Sequence, residues 1–116
     1  MNAPLTNDHF ARLSPERTPE PCSPEEWAAC LGDPAYNPYL ARRRWDRWQV
    51  DLVFTGFWIG EGRPKFFSVS VHPPLRFGAV WQFERYEEAL EAHGRVVAAC
   101  RRESEQEAVS LAAEAP

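Results

Sequence analysis

No apolar run in this sequence approaches the ~20 residues that a helix needs to cross a bilayer, and residues 1–10 lack the basic-then-apolar order of a secretory leader. Both absences lead us to expect a soluble, cytoplasmic protein. Cysteine is sparse: Cys22, Cys30 and Cys100 are odd in number and widely spaced, so they cannot make a complete disulfide framework, and reduced thiols fit better. No CxxC or HxxxH spacing is present; a zinc site would have to gather Cys22, Cys30, His93 and Cys100 from distant segments, and we expect no metal. Gly60-Glu61-Gly62 lacks the further glycine and the helix start of a phosphate loop, so we expect no nucleotide or other cofactor. A dominant positive charge is missing as well, the formal net charge being -4. That total hides a pattern: residues 42–102 hold eleven basic against seven acidic residues, while residues 1–41 and 103–116 are each acidic by four charges.

What is present fits one small domain. The 116 residues are 44% hydrophobic and 26% charged, a composition that excludes wholesale disorder. Seven of the eleven prolines fall at or before Pro38, and proline removes backbone donors, so residues 1–22 read as an extended Pro-rich arm outside any sheet. Thirteen of the fifteen aromatic residues lie between Tyr36 and Tyr86, which places the core there.

Ser23 as N-cap, Pro24 at the first helical position and Glu26 three residues after the cap form a capping box; with Gly32 as a stop they predict a helix over residues 24–31. Its apolar stripe is Trp27, Cys30 and Leu31. Asn37-Pro38 reads as a second helix start, leading through Tyr39 and Leu40 into the arginine run. From residue 47 to 59 the period becomes two: Trp48, Val50, Leu52, Phe54 and Trp58 alternate with Gln49, Asp51, Val53, Thr55 and Phe57, which predicts a strand. A Gly/Pro turn at residues 60–64 leads to a second strand over 65–72, stopped by Pro73-Pro74, and a third over 77–83 with Phe77, Ala79, Trp81 and Phe83 on one side. The last element is a helix over residues 86–102 with Tyr86, Ala89, Leu90, His93, Val97 and Cys100 inward, Gly94 marking a close approach to the sheet. Residues 103–116 form an acidic Ala/Glu-rich tail that either extends this helix or frays. The expected fold is α+β: a three-stranded antiparallel meander packed by a C-terminal helix, with residues 23–102 as its single domain.

Chemistry is thinly represented. His93 and Cys100 share a helical face, but two turns separate them by ~10 Å, too far for direct proton transfer. Acidic pairs such as Glu87-Glu88 and Glu25-Glu26 sit in first turns, where the helix dipole accounts for them. No catalytic constellation emerges, and we expect no enzyme. Instead both faces of the expected sheet carry large side chains, Trp48, Leu52 and Phe54 against Val53, Phe57 and Ile59, whereas one helix covers one face. Either the N-terminal helix covers the other, through Trp27 and Leu31, or a second chain does. A protein partner or a homodimer would contact Trp45, Trp48, Phe57, Trp58 and Phe66, with Arg42, Arg43 and Arg44 at the rim. The alternative is nucleic-acid binding through the Arg/Trp segment 42–48, where guanidinium groups would meet phosphates and indoles would stack on bases.

The strand Val53-Phe54-Thr55-Gly56, the Gly/Pro turn, the strand with Phe66-Phe67 and the helix Tyr86-Glu87-Glu88-Ala89 leading to His93 and Val96-Val97 resemble a group of small uncharacterised phage, prophage and bacterial proteins. The resemblance covers about half the chain and departs from the group in the arginine run and the long arm. It implies, by analogy, a phage-type accessory role, such as binding and inhibiting a host or defence protein complex in the manner of an anti-CRISPR protein.

Overall fold

The computed structural model describes the backbone of residues 8–76 and 78–114, and the side chains of residues 9–76 and 78–104. In chain order the elements are β1 (Asp8–Leu13), β2 (Pro19–Pro21), α1 (Pro24–Gly32), β3 (Tyr39–Trp45), β4 (Trp48–Phe54), β5 (Phe57–Ile59), β6 (Phe67–Leu75), β7 (Gly78–Phe83) and α2 (Tyr86–Glu114). They build an α+β fold with two antiparallel sheets, one of four strands in the order β3-β4-β6-β7 and one of three in the order β2-β1-β5. No helix among the described residues is long and apolar enough to cross a membrane.

The four-stranded sheet follows from alternation. Trp48, Val50, Leu52 and Phe54 of β4 and Phe67, Val69 and Val71 of β6 point to one face and are buried. α2 lies across that face and buries Ala89, His93, Val96 and Cys100 against it. The Trp48 Nε1–H donates to Ser104 Oγ at 2.7 Å, tying the β3–β4 end of the sheet to the fifth turn of the helix. The helix continues to Glu114, so residues 103–114 extend it. Two details of its expected stripe change. Val96 takes the buried place given to Leu90, which is 44% exposed, because the sheet accepts a narrower stripe spaced three and four residues apart. Gly94 faces open space and marks no close approach.

The other face of this sheet is mostly polar, contrary to the expectation of two greasy faces. It carries Arg42, Arg44, Gln49, Asp51, Ser68 and Ser70 alongside Tyr39, Val53 and Val80, and Phe57 and Ile59 belong to the other sheet altogether. An antiparallel sheet with one solvated face needs no second cover. Asp51, 8% exposed, accepts from Arg42 Nε and from Gln49 Nε2, both at 2.8 Å, so its buried charge is paired and hydrogen-bonded.

Four boundaries also differ from the sequence reading. The arm enters a sheet after all: β1 contains no proline and can donate to both neighbours, while Pro19 and Pro21 sit on the edge strand β2, where a missing donor is tolerated. Tyr39 and the arginine run form a strand; the Asn37 side chain accepts from Tyr39 N at 3.1 Å, and the two-residue turn Asp46-Arg47, with Asp46 at φ 50°, folds β3 back on β4. The meander thereby gains a fourth strand. β6 runs through Pro73 and Pro74 to Leu75, because its pairing with β7 shifts register between Ser70 and Leu75 and requires no donor there. The expected strand over 47–59 is broken in two at Thr55-Gly56. Phe77 lies outside the described residues.

That break joins the two sheets. Gly56 has φ +76°, a conformation that suits glycine, and its carbonyl accepts from Ala11 N at 2.9 Å. β5 thus leaves the large sheet and pairs with β1. Above it sits α1, whose capping box is formed as the sequence indicates, Ser23 Oγ and the Glu26 carboxylate each accepting the other residue's N–H at 3.1 Å. A Cβ on Gly56 would lie 2.5 Å from Trp27 Nε1, so the indole occupies the space a side chain would need. Gly56→Ala combines left-handed strain with overpacking, and we expect a loss of about 3 kcal/mol or more. Gly62→Ala, at φ +84° but facing open space, should lose only about 1–2 kcal/mol. Urea unfolding midpoints of the two variants check the difference; equal losses would mean that Trp27 does not pack on Gly56.

Candidate functional site

Two surfaces gather the residues that sequence reasoning singled out, and they are built by different elements. The first lies where α1 covers the small sheet. Phe10, Trp27 and Phe57 form a ring cluster with centroid separations of 5.3 Å for Phe10–Trp27 and 5.4 Å for Trp27–Phe57. Alternation on β5 puts Ile59 on the same side as Phe57, and helical spacing puts Leu31 one turn beyond Trp27. The cluster is not closed over: Phe57 is 40%, Leu31 51% and Ile59 64% exposed. Phe57 belongs to the ring cluster, and Ile59 and Leu31 follow it on the flanking positions of β5 and α1.

The second surface is the end of the β3–β4 hairpin. Adjacent residues of β3 alternate, so Arg42 and Arg44 lie on the polar face while Arg43 and Trp45 share the face toward α2. Arg42 is committed: it bonds Asp51 and stacks 3.9 Å from the Tyr39 ring centroid, and the bond to Asp51 holds its guanidinium protonated even beyond its usual range. Arg44 Nε bonds Gln49 Oε1 at 3.0 Å. From α2, Arg101 reaches the Trp45 ring at 5.8 Å, and Arg47 covers the Trp48 ring at 4.8 Å.

Of the expected contact residues, Phe57 is exposed, Trp45 and Trp58 are half-buried, and Arg42, Arg43 and Arg44 are exposed. Trp48 and Phe66 are core residues, 1% and 8% exposed, and are corrected to structural roles. Trp48 alternates along a strand, where an aromatic residue looks the same whichever face is covered; Phe66 lies just before β6 and is buried next to Phe67, so alternation does not apply to it. Leu31, Ile59 and Phe10 were missed as members of one patch, and Arg101 as a neighbour of Trp45; only the Trp27–Leu31 spacing carried a local signal.

The residues that invite catalysis are occupied otherwise. His93, 6% exposed, has Nε2 3.1 Å from the Val50 carbonyl oxygen, a bond that fixes the ring against the sheet. Cys100 is fully buried, and burial pushes its thiol up from the ordinary value, with the nearby Glu103 carboxylate adding to the shift. Cys22 is half-buried, and its thiol is raised by desolvation and by the Glu26 carboxylate. All three cysteines are free. Among the described residues no group of His, Cys, Asp or Glu is arranged to hold a metal ion.

The thiols yield a direct check. Alkylation of the native protein followed by mass spectrometry should modify Cys22 and Cys30 and leave Cys100 untouched until denaturant is added. Because a raised pKa lowers the thiolate fraction at a given pH, Cys22 should react more slowly than a free thiol near neutrality and gain rate as pH rises through its pKa. Labelling of Cys100 as fast as Cys22 in native buffer would contradict its burial.

No protein-family model, curated protein or solved structure matches this chain.

Proposed function

We propose that this chain is a non-enzymatic protein-binding module, and that its contact surface is the patch of Leu31, Phe57 and Ile59 around the Phe10–Trp27–Phe57 cluster. The observation that carries the reading is the exposure of three large apolar side chains, Phe57 and Ile59 on the small sheet and Leu31 on the helix that packs Trp27 against it. Each forfeits about 25 cal/mol for every Å² of apolar surface left in water, a loss that a partner's surface would reverse. On the outer face of the large sheet the exposed Tyr39 and Val80 stand on strands at opposite edges, with polar residues between them and Arg42 over the Tyr39 ring, so the reading moves from the large sheet to the small one. Protein interfaces place aromatic and aliphatic anchors at the centre and charged residues at the rim; Arg12, bridged to Glu20 and Glu26 beside α1, fits the rim. The resemblance to phage and prophage proteins extends the proposal to an accessory protein that occupies a host or defence complex in the cytoplasm; a homodimer through the same patch is the other arrangement that would cover it.

The test is affinity capture with the full chain and with Leu31→Glu/Ile59→Glu as paired baits. A partner retained at high salt by the parent and lost by the variant is expected, since apolar contacts are little screened. In a binding titration Phe57→Ala should weaken the complex about ten-fold or more, equivalent to about 1.4 kcal/mol. Identical partners and affinities for parent and variant would overturn the proposal.

A further inference from the structure

We propose that the open edge of β3 and the adjoining turn of α2 form a second binding site, independent of the apolar patch, for the sugar–phosphate backbone of single-stranded nucleic acid, with Arg43, Arg44 and Arg101 as phosphate contacts and Trp45 as a stacking platform. Three observations carry it. First, the fold assembles the cluster from sequence-distant parts. Arg101 stands over the Trp45 ring although 56 positions separate them, so the charge concentration is larger than the arginine run alone.

Second, the arginines at this edge are not among those held by an ion pair. Arg12, Arg42, Arg63, Arg85 and Arg95 each lie within 4.0 Å of a carboxylate. Arg43, Arg44 and Arg101 share with Arg17, Arg76 and Arg102 the lack of such a contact among the described residues, and differ from those in standing beside Trp45 on or against β3. Arg43, Arg44 and Arg101 are exposed and, among the described residues, have no carboxylate partner; Arg44 touches only the neutral Gln49 amide. In a chain of net charge -4, three exposed guanidinium groups without a carboxylate partner among the described residues are a local concentration of positive charge.

Third, the geometry suits an extended polyanion. β3 is the edge of the four-stranded sheet. Its alternation sends Arg44 to one side of that edge and Arg43 to the other, where Arg101 joins it beside Trp45. A strand of phosphates following the edge would meet cations on both flanks, and a base reaching the partly buried Trp45 indole would stack there beside or in place of the Arg101 guanidinium. A duplex presents no free base to that ring, and an acidic peptide offers it nothing to stack on, so the combination favours a single strand.

Fluorescence anisotropy of labelled oligothymidylate and oligouridylate, titrated with the full chain, tests the proposal; the two probes distinguish DNA from RNA as the source of the backbone. Three neutralised phosphates predict a log–log salt slope of about -2, hence roughly a 16-fold weakening between about 50 and about 200 mM salt. Arg43→Glu/Arg101→Glu should abolish the signal, Trp45→Leu should weaken binding about ten-fold, and Arg63→Glu, away from the edge, should leave it unchanged. Arg43→Gln, judged folded by circular dichroism, serves if the double variant does not fold, and should lower the salt slope by about 0.7. Ile59→Glu should bind as the parent does, which keeps this result separate from that of the apolar patch. No anisotropy change, equal affinity of the parent and the charge-reversed protein, or displacement of the oligonucleotide by polyglutamate as effective as by unlabelled oligonucleotide would each overturn the proposal.

Discussion

The left-handed turn at Gly56 is the constraint on which the rest of this architecture depends. It does three things with one residue: it bends the chain out of the large sheet, offers its carbonyl to Ala11, and leaves the volume that the Trp27 indole fills. The neighbouring Thr55 N–H donates to the Phe66 carbonyl at 2.7 Å, so the bend is clamped from the β6 side too. Without the bend, β5 would prolong β4, β1 would keep only β2 as a partner, and the N-terminal third of the chain would lose its dock. A side-chain-free position between two strands of bulky residues is therefore where two sheets become one molecule.

Much of the large sheet was legible because its signals are local. The capping box at Ser23 and Glu26, the period-two run of Trp48, Val50, Leu52 and Phe54, and the helical stripe from Tyr86 to Cys100 each depend on spacing within one element. What failed was long-range. Proline density hid β1, since the prolines of this region lie in β2 and the turns and spare the strand between residues 8 and 13. The Asn37-Pro38 start signal is real locally, as the Asn37–Tyr39 bond attests, yet pairing with β4 turns the following residues into a strand. Alternation reveals which residues share a face but not which face is covered, and this is why Trp48 was read as a contact residue and is instead the most deeply buried indole.

The idea that a lone helix leaves one greasy sheet face uncovered does not describe this molecule. The large sheet is amphipathic and complete with α2, and its outer surface is organised around the buried Asp51 carboxylate and its bonds to Arg42 and Gln49. A surplus of apolar surface lies on the smaller sheet, where α1 packs Trp27 on Phe10 and the edge of Phe57 and leaves Phe57 and Ile59 exposed. Function, on this reading, resides in what the N-terminal segment and the hairpin end add to an otherwise self-sufficient helix-on-sheet layer.

The arginines of β3 have a consequence for how copies of the protein behave toward one another. An unpaired outer strand is a template for another strand, and unprotected edges of this kind seed sheet-to-sheet polymerisation. Two copies approaching edge to edge through β3 would bring their cationic rows together at strand spacing, with mutual repulsion that dilute electrolyte leaves almost unscreened. The same side chains that decorate this border therefore act as gatekeepers of colloidal stability. Neutralising them would trade a dispersed protein for one prone to fibrillar stacking.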